Sequence, residues 1–364
     1  MAKRAGIDKW LFGATLLLVV IGVVMVFSAS AVMAGDKFGS PYHFLARQLG
    51  WALAGLAAMA VIMNLDYRRW KHPGFVFTFL GITTLLLVAV FFVDRAHNTH
   101  RWIRLGAFMS FQPSELAKPA LILFLAFFLA DRVKSMDDWR HTLLPAAVPT
   151  ALFTALIVLQ PDLGTALVCF GVTAALLYVA GMKPRYFAYG LAPLVPVLCY
   201  LLIAVPWRLR RLEIFLNPGS DPQGAGFHIN QSLIAVSTGG LTGLGLMEGK
   251  QKLFYLPEPH TDFIYAVTAE EFGLLGALLI AALFFIFVWR GFRTALRARD
   301  NFGRFLACGI TAMVVIQAFF NISVVLALLP TKGIPLPFIS YGGSSLFVML
   351  ASAGVLLNIS QQTE

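Results

Sequence analysis

The chain repeats one pattern: runs of about twenty apolar residues, the length that crosses a bilayer as a helix, each closed by charge, proline or glycine. Ten such runs can be marked, at 10–33, 48–64, 74–93, 114–131, 143–160, 164–181, 186–205, 263–289, 303–329 and 343–358. Hydrocarbon offers the backbone no hydrogen-bond partner, so each run must close its own bonds as an α-helix. The expected fold is an all-α polytopic membrane protein, with about ten transmembrane helices in a single membrane domain over 1–364. A content of 59% apolar and 13% charged residues, against roughly 45–50% and 25% in soluble domains, excludes a soluble or a disordered chain. The net charge of +10 does not call for nucleic acid, since loops beside anionic headgroups carry such an excess.

Met1-Ala2-Lys3-Arg4 and the run that follows resemble a secretory signal, but the run exceeds the roughly 7–15 apolar residues of a cleavable one. It is read as an uncleaved first span. Orientation follows from charge. The groups Lys3-Arg4-Lys9, Arg68-Arg69-Lys71, Arg132-Lys134-Arg140, Lys183-Arg185 and Arg290-Arg293-Arg297-Arg299-Arg304 all fall on the N-terminal side. Lys and Arg mark the cytoplasmic side of short loops, so both termini are expected in the cytoplasm. The one long connection, 206–262 between the seventh and eighth spans, is then extracytoplasmic, and its mix of Trp207–Leu216, a turn-rich stretch and apolar Ile229–Val236 reads as an ordered cap on the membrane surface.

Four polar clusters stand at span ends on that same outer side: Gln112–Lys118, Gln160–Thr165, Pro257–Asp262 and Lys332–Ser345. Ionisable groups at membrane depth are costly and default to functional hypotheses. Asp262 follows Pro257 and Pro259, which hold the backbone extended, so the eighth helix is expected to start at Thr261 or Asp262. The ordinary role there is a helix cap; the chemical one is a base, kept ionised but weak by the helix dipole. On a straight helix Glu270 would lie about 80° round and some 12 Å deeper, and two adjacent acids, Glu270 and Glu271, resist explanation by packing. Glu115 and Lys118, three apart on one helix, can pair with each other or meet a substrate phosphate. Asp162 can cap the sixth span. Arg101 and Arg104, beside His100 and Trp102, offer guanidinium forks for phosphate. The Pro- and Gly-rich stretch 332–345 cannot face lipid as a helix and must be buried in protein or line a cavity.

Other chemistries are not written here. Gly245-Leu246-Met247-Glu248-Gly249-Lys250 has too few residues between its glycines for a phosphate loop and lacks the following Ser or Thr. No dinucleotide or nucleophile motif appears, so no nucleotide cofactor is indicated. Cys169, Cys199 and Cys308 form neither a zinc pattern nor a disulfide framework.

Phe111-Gln112-Pro113-Ser114-Glu115-Leu116-Ala117-Lys118, Gln160-Pro161-Asp162-Leu163-Gly164-Thr165, the stretch Lys252 to Phe263 with its His260-Thr261-Asp262, and the stretch Gly333 to Ser345 together resemble the SEDS family (shape, elongation, division and sporulation) over nearly the whole chain. Gln251-Lys252-Leu253-Phe254-Tyr255 and Leu329-Pro330-Thr331-Lys332-Gly333 are the forms of its division branch rather than of its elongation branch. The resemblance implies a ten-helix fold and a peptidoglycan glycosyltransferase that polymerises lipid II outside the cytoplasmic (inner) membrane, in this branch at the division septum. It implies Asp262, Glu115 and Lys118 as catalytic residues; Arg101, Arg104, Asp162, His260, Lys332, Ser340 and Ser344, in the outer polar clusters, are the substrate-binding candidates. It further implies a class B penicillin-binding protein (a transpeptidase) and other divisome proteins as partners, with dependence on a divalent cation, Mg²⁺ or Mn²⁺. The competing expectation is a lipid II flippase, for which Glu115, Glu270 and Glu271 would be path residues; a non-catalytic scaffold would leave the charged constellation without purpose.

Overall fold

The computed structural model describes residues 6–93, 101–105, 109–203, 206–217, 221, 224, 226–253 and 255–363. In chain order the helices are α1 (Lys9–Phe38), α2 (His43–Ile62), α3 (Pro73–Val93), α4 (Pro113–Ala130), α5 (Leu144–Leu159), α6 (Leu163–Val179), α7 (Pro184–Ile203), α8 (Pro206–Leu216), α9 (Phe227–Thr238), α10 (Ile264–Arg297), α11 (Asn301–Val325) and α12 (Gly343–Ser360). Each expected run is a helix, and α8 and α9 lie inside the long 206–262 connection. Among the described residues eight helices are long and apolar enough to cross a membrane: α1 to α4, α5 with the π-turn before it, and α10 to α12. The apolar α6 falls just short at 17 residues, and α7 has 20.

The buried share of each span sorts centre from rim. It is 78% for α4 and 72% for α11 and α12, against 22% for α2 and α3. α4, α11 and α12 therefore form the heart of the bundle, while α2 and α3 turn Leu53, Leu85 and Phe92 outward, where a bilayer would cover them. A two-stranded antiparallel ribbon, β1 (Ile103–Leu105) and β2 (Met109–Phe111), leads into α4. The stretch after α11 runs without helix to Gly342, with Ile334, Leu336, Phe338, Ile339 and Ser340 buried, as its Pro and Gly content required. It enters the bundle where Gly22 of α1 leaves room: a Cβ there would lie 2.6 Å from the Phe338 carbonyl oxygen.

α10 departs from expectation. It starts at Ile264 and is broken at Gly273, whose φ of 63° and ψ of −160° only glycine adopts readily. The Tyr265 hydroxyl donates to the Ala277 carbonyl oxygen at 3.3 Å, twelve positions on and so about 18 Å away along an unbroken helix. A break orphans backbone groups, and these need partners. The turn after α9 supplies them: Leu244 and Gly245 N–H donate to the Glu270 and Glu271 carbonyls, and Leu274 and Leu275 N–H donate to the Gly240 and Leu241 carbonyls.

The two acids complete the same joint. Glu270 accepts the Lys250 and Gln251 backbone N–H groups at 2.8 and 3.2 Å. Glu271 accepts the Ser28 hydroxyl at 2.7 Å, the Met247 N–H at 3.1 Å and the Lys252 ammonium at 2.6 Å. The acids that seemed unaccountable as packing therefore anchor residues 240–252 to α10. This corrects the reading of the whole connection as a surface cap, since that part is stitched into the break; separately, α10 begins at Ile264, after Asp262, so the spacing of Asp262 and Glu270 along one helix does not apply. A Cβ at Gly273 would collide with the Gly243 nitrogen. Gly273→Ala is thus expected to cost more than the roughly 1–3 kcal/mol of a strained residue alone, read as a lower Tm and faster proteolysis between 239 and 253.

Candidate active site

Asp262 does not cap α10. The cap position is Phe263, with no side-chain cap bond, and among the described residues the Asp262 carboxylate accepts no hydrogen bond at all. What is held is its backbone. Asn321, buried on α11, donates one amide to both the Asp262 and Ile334 carbonyl oxygens, each at 2.8 Å. Ser340 donates to the Thr261 carbonyl at 2.6 Å and accepts the Leu336 N–H at 2.8 Å. Tyr341 N–H donates to the His260 carbonyl at 2.9 Å. The segments 260–262 and 334–341 are thereby one rigid body, and Gly333 leaves the Asp262 carboxylate space, since a Cβ there would lie 2.9 Å from Oδ2.

The other two clusters join it. Ile334 packs on Gly164 in the first turn of α6, close enough that a Cβ on Gly164 would sit 2.6 Å from Cγ1. Beside it Asp162 caps α6, accepting the Thr165 N–H at 3.1 Å and hydroxyl at 2.8 Å, and accepts the Gln112 amide at 3.2 Å. The Gln112 N–H in turn donates to the Ser344 hydroxyl at 3.3 Å. One turn into α4, Lys118 donates to Glu115 at 2.8 Å, with both side chains buried. All four polar clusters therefore converge, linked by contacts between neighbouring segments.

The substrate-binding candidates differ in what they have left to offer. Arg101 donates to the Gln160 carbonyl at 2.8 Å and to the Pro161 carbonyl, and its charge acts on Asp262. Arg104 is exposed on β1 opposite Ser110. Asp162, Ser340 and Ser344 are engaged in holding backbone and side chains together. His260 packs on Phe44 and Tyr341, with ring centroids 4.5 and 5.4 Å away; burial and Lys37 push it down to about 4, so it is neutral at physiological pH. Lys332 is part-exposed beside Gly333, and His100 lies outside the described residues.

Two residues escaped sequence reasoning. Asn321 was legible as a polar amide inside an apolar run, a signal of the same kind as the acids. Arg211, on α8, donates to the Thr331 carbonyl at 3.3 Å and faces Asp262 closely enough to act on its charge; the basic-apolar alternation of its helix hid it.

Burial pushes the Asp262 carboxyl up from 3.8 to about 6, helped by Glu258 and Asp162 and only partly opposed by Arg211 and Arg101. The expected dipole-held weak base is thus replaced by a stronger one that is still ionised at neutral pH. A carboxyl raised in the folded state favours folding while protonated, and that contribution fades as pH rises through about 6. Asp262→Asn, which cannot ionise, is therefore expected to melt above the wild type at pH 7.5. The gap should close as pH falls toward the unfolded carboxyl's range; equal Tm values at both ends would contradict the raised value.

An apolar helix bundle that gathers a buried ion pair, arginines and a carboxylate without a hydrogen bond among the described residues defines a polytopic membrane protein with a polar cluster at one end. A family model described as cell cycle protein (FtsW, RodA and SpoVE) matches residues 8–364, and the chain belongs to this family, the SEDS proteins its motifs resemble. It is 47% identical to a probable peptidoglycan glycosyltransferase FtsW of Geobacter sp. (strain M18), over 99% of this chain and 98% of that one. It is 45% identical to stage V sporulation protein E of Bacillus subtilis (strain 168), with the same coverage of both. Among solved structures, one described as the structural coordination of polymerization and crosslinking by a peptidoglycan synthase complex aligns with a TM-score of 0.80 at 30% identity, over 98% of both chains. The rod shape determining protein RodA of Thermus thermophilus aligns at 0.71 and 27%, again over 98% of both.

Proposed function

We infer that the chain is a peptidoglycan glycosyltransferase that polymerises lipid II at the outer face of the cytoplasmic membrane during division, with Asp262 as general base. One observation carries the assignment of the base: a carboxylate with no hydrogen bond, on a rigid backbone where four polar clusters meet, raised to about 6. Structural acids are paired or cap something; this one is kept vacant for a proton. Asp262 takes the proton of the 4-hydroxyl on the acceptor's N-acetylglucosamine as that oxygen bonds to the anomeric carbon of the growing strand's N-acetylmuramic acid. The bond from that carbon to the diphosphate breaks, and undecaprenyl diphosphate leaves. Charge gathering on the leaving group is met by Arg101 and Arg211, the cations whose charge acts on Asp262, backed by Lys118. Fixed cations facing such charge are commonly the largest single contribution to rate.

A chain buried in the bilayer suits a substrate whose polyprenyl tail stays in lipid. The basic groups at the opposite end of the bundle support cytoplasmic termini and an extracytoplasmic site. Crosslinking beside polymerization in the similar complex supports a class B penicillin-binding protein as partner, within a larger divisome. The flippase reading loses its path, because Glu270 and Glu271 are consumed in holding residues 240–252. Among the described residues no three His, Cys, Asp or Glu side chains gather to hold a metal. The described residues do not make a metal site of their own, and the sequence has no motif to hold a nucleotide.

The test is purified protein with its cognate partner, the partner's transpeptidase serine blocked, given labelled lipid II. Glycan strands are expected. Their absence, together with lipid II translocation in proteoliposomes, would overturn the assignment in favour of transport.

A further inference from the structure

At the end of the bundle away from Asp262, three helix termini enclose a cavity of about 410 Å³, within the roughly 300–1,000 Å³ of small-ligand sites. Its walls are the start of α1, the last turns of α10 and the end of α12. Arg290, Arg293 and Arg297 project into it from α10, three and four positions apart and so along one helix face. Asp8 and Lys9 stand across from them.

The charges do not balance. Asp8 is fully used: one oxygen accepts the Trp10 and Leu11 N–H groups, each at 3.1 Å, and the other accepts Arg290 through Nε at 2.7 Å and Nη2 at 2.6 Å. That pairing neutralises Arg290 alone. Among the described residues Lys9, Arg293 and Arg297 have no acidic partner, and Asp8 is the one acid in the lining. A preference for basic residues on one membrane side explains their presence in loops. It does not explain why two arginine forks share the wall of a concavity, next to Trp10, which is 66% exposed at the level of the helix start. An exposed tryptophan at that level is the mark of a headgroup boundary.

We propose that this cavity binds the phosphodiester headgroup of an anionic glycerophospholipid. Arg293 and Arg297 take the phosphate oxygens through paired N–H donors, the geometry for which guanidinium is suited. Lys9 adds charge across the cavity, and the acyl chains lie along the apolar outer faces of α1 and α10, where Leu17, Leu278 and Phe285 are exposed. Basic pockets between helix ends at a membrane surface recognise such headgroups. The site holds α1 against α10 from the far end of the helix that begins beside Asp262.

The test uses the full chain in phosphatidylcholine micelles or nanodiscs, titrated with dioleoyl phosphatidylglycerol and read by native mass spectrometry and thermal shift. The wild type is expected to retain phosphatidylglycerol and melt higher. Arg293→Gln/Arg297→Gln is expected to bind it on the order of tenfold or more weakly, with unchanged Tm in phosphatidylcholine and unchanged polymerisation of lipid II. Should the double variant fold poorly, Arg297→Gln alone serves, with a smaller loss in the same direction. Equal phosphatidylglycerol binding by wild type and variant would overturn the proposal. So would an equal shift with inorganic phosphate at the same concentration, which would make the cavity a free-anion site.

Discussion

Asp262→Asn is expected to lower polymerisation by about 10²–10⁴-fold, the contribution of a well-placed general base, while leaving a folded protein that still binds lipid II. The amide keeps the size and polarity of the carboxyl, and nothing in the fold depends on the charge. The segment is positioned through backbone groups, by Asn321 on the Asp262 carbonyl and by Ser340 on its neighbour. Loss of activity with equal or higher thermal stability is a combination that a structural aspartate would not give. Loss of both would show instead that the carboxylate holds the site together.

The second large effect belongs to the buried pair. Lys118→Met strands Glu115 in a site where both side chains are nearly inaccessible, and breaking such a pair costs about 3–5 kcal/mol. Replacing both charges is much milder, since a neutral pair of similar shape is often as stable as the ions it replaces. Glu115→Gln/Lys118→Met should therefore recover most of the Tm lost by the single variant. Polymerisation should stay low in the double variant, because the Lys118 charge that backs Arg101 and Arg211 against the departing diphosphate is gone. Recovery of activity along with stability would reduce the pair to a packing device.

The helices were readable because lipid leaves the backbone no alternative: an apolar run of sufficient length has one fold open to it. The burial of Lys332–Ser345 was readable for the converse reason, since its prolines and glycines could not form a helix against lipid. The convergence of the polar clusters followed from counting crossings. The break at Gly273 was not readable. A glycine in an apolar run is common, and what turns this one into a joint is a loop that begins some thirty residues earlier and satisfies the groups the break sets free. Glu270 and Glu271 were noticed as costly, but their partners are backbone N–H groups and Lys252, whose approach depends on that same joint.

The basicity of Asp262 was misjudged in the same way. Sequence placed it in a helix's first turn, where a dipole would keep it acidic; the structure ends the helix short of it and surrounds it with Glu258 and Asp162. Asn321 and Arg211 act on it from elements that the sequence marks only as a membrane span and as part of a surface cap. Contacts between distant segments decide the chemistry here, and a single sequence does not list them.

The central claim, that Asp262 accepts the proton in strand synthesis, is tested most directly by the pH dependence of glycan formation from labelled lipid II under kcat/KM conditions. Wild-type rate should fall tenfold per pH unit below a midpoint near 6, and the residual rate of Asp262→Asn in the same preparation should lack that midpoint. A wild-type profile flat from neutral pH down through that value, or the same midpoint in both proteins, would contradict it.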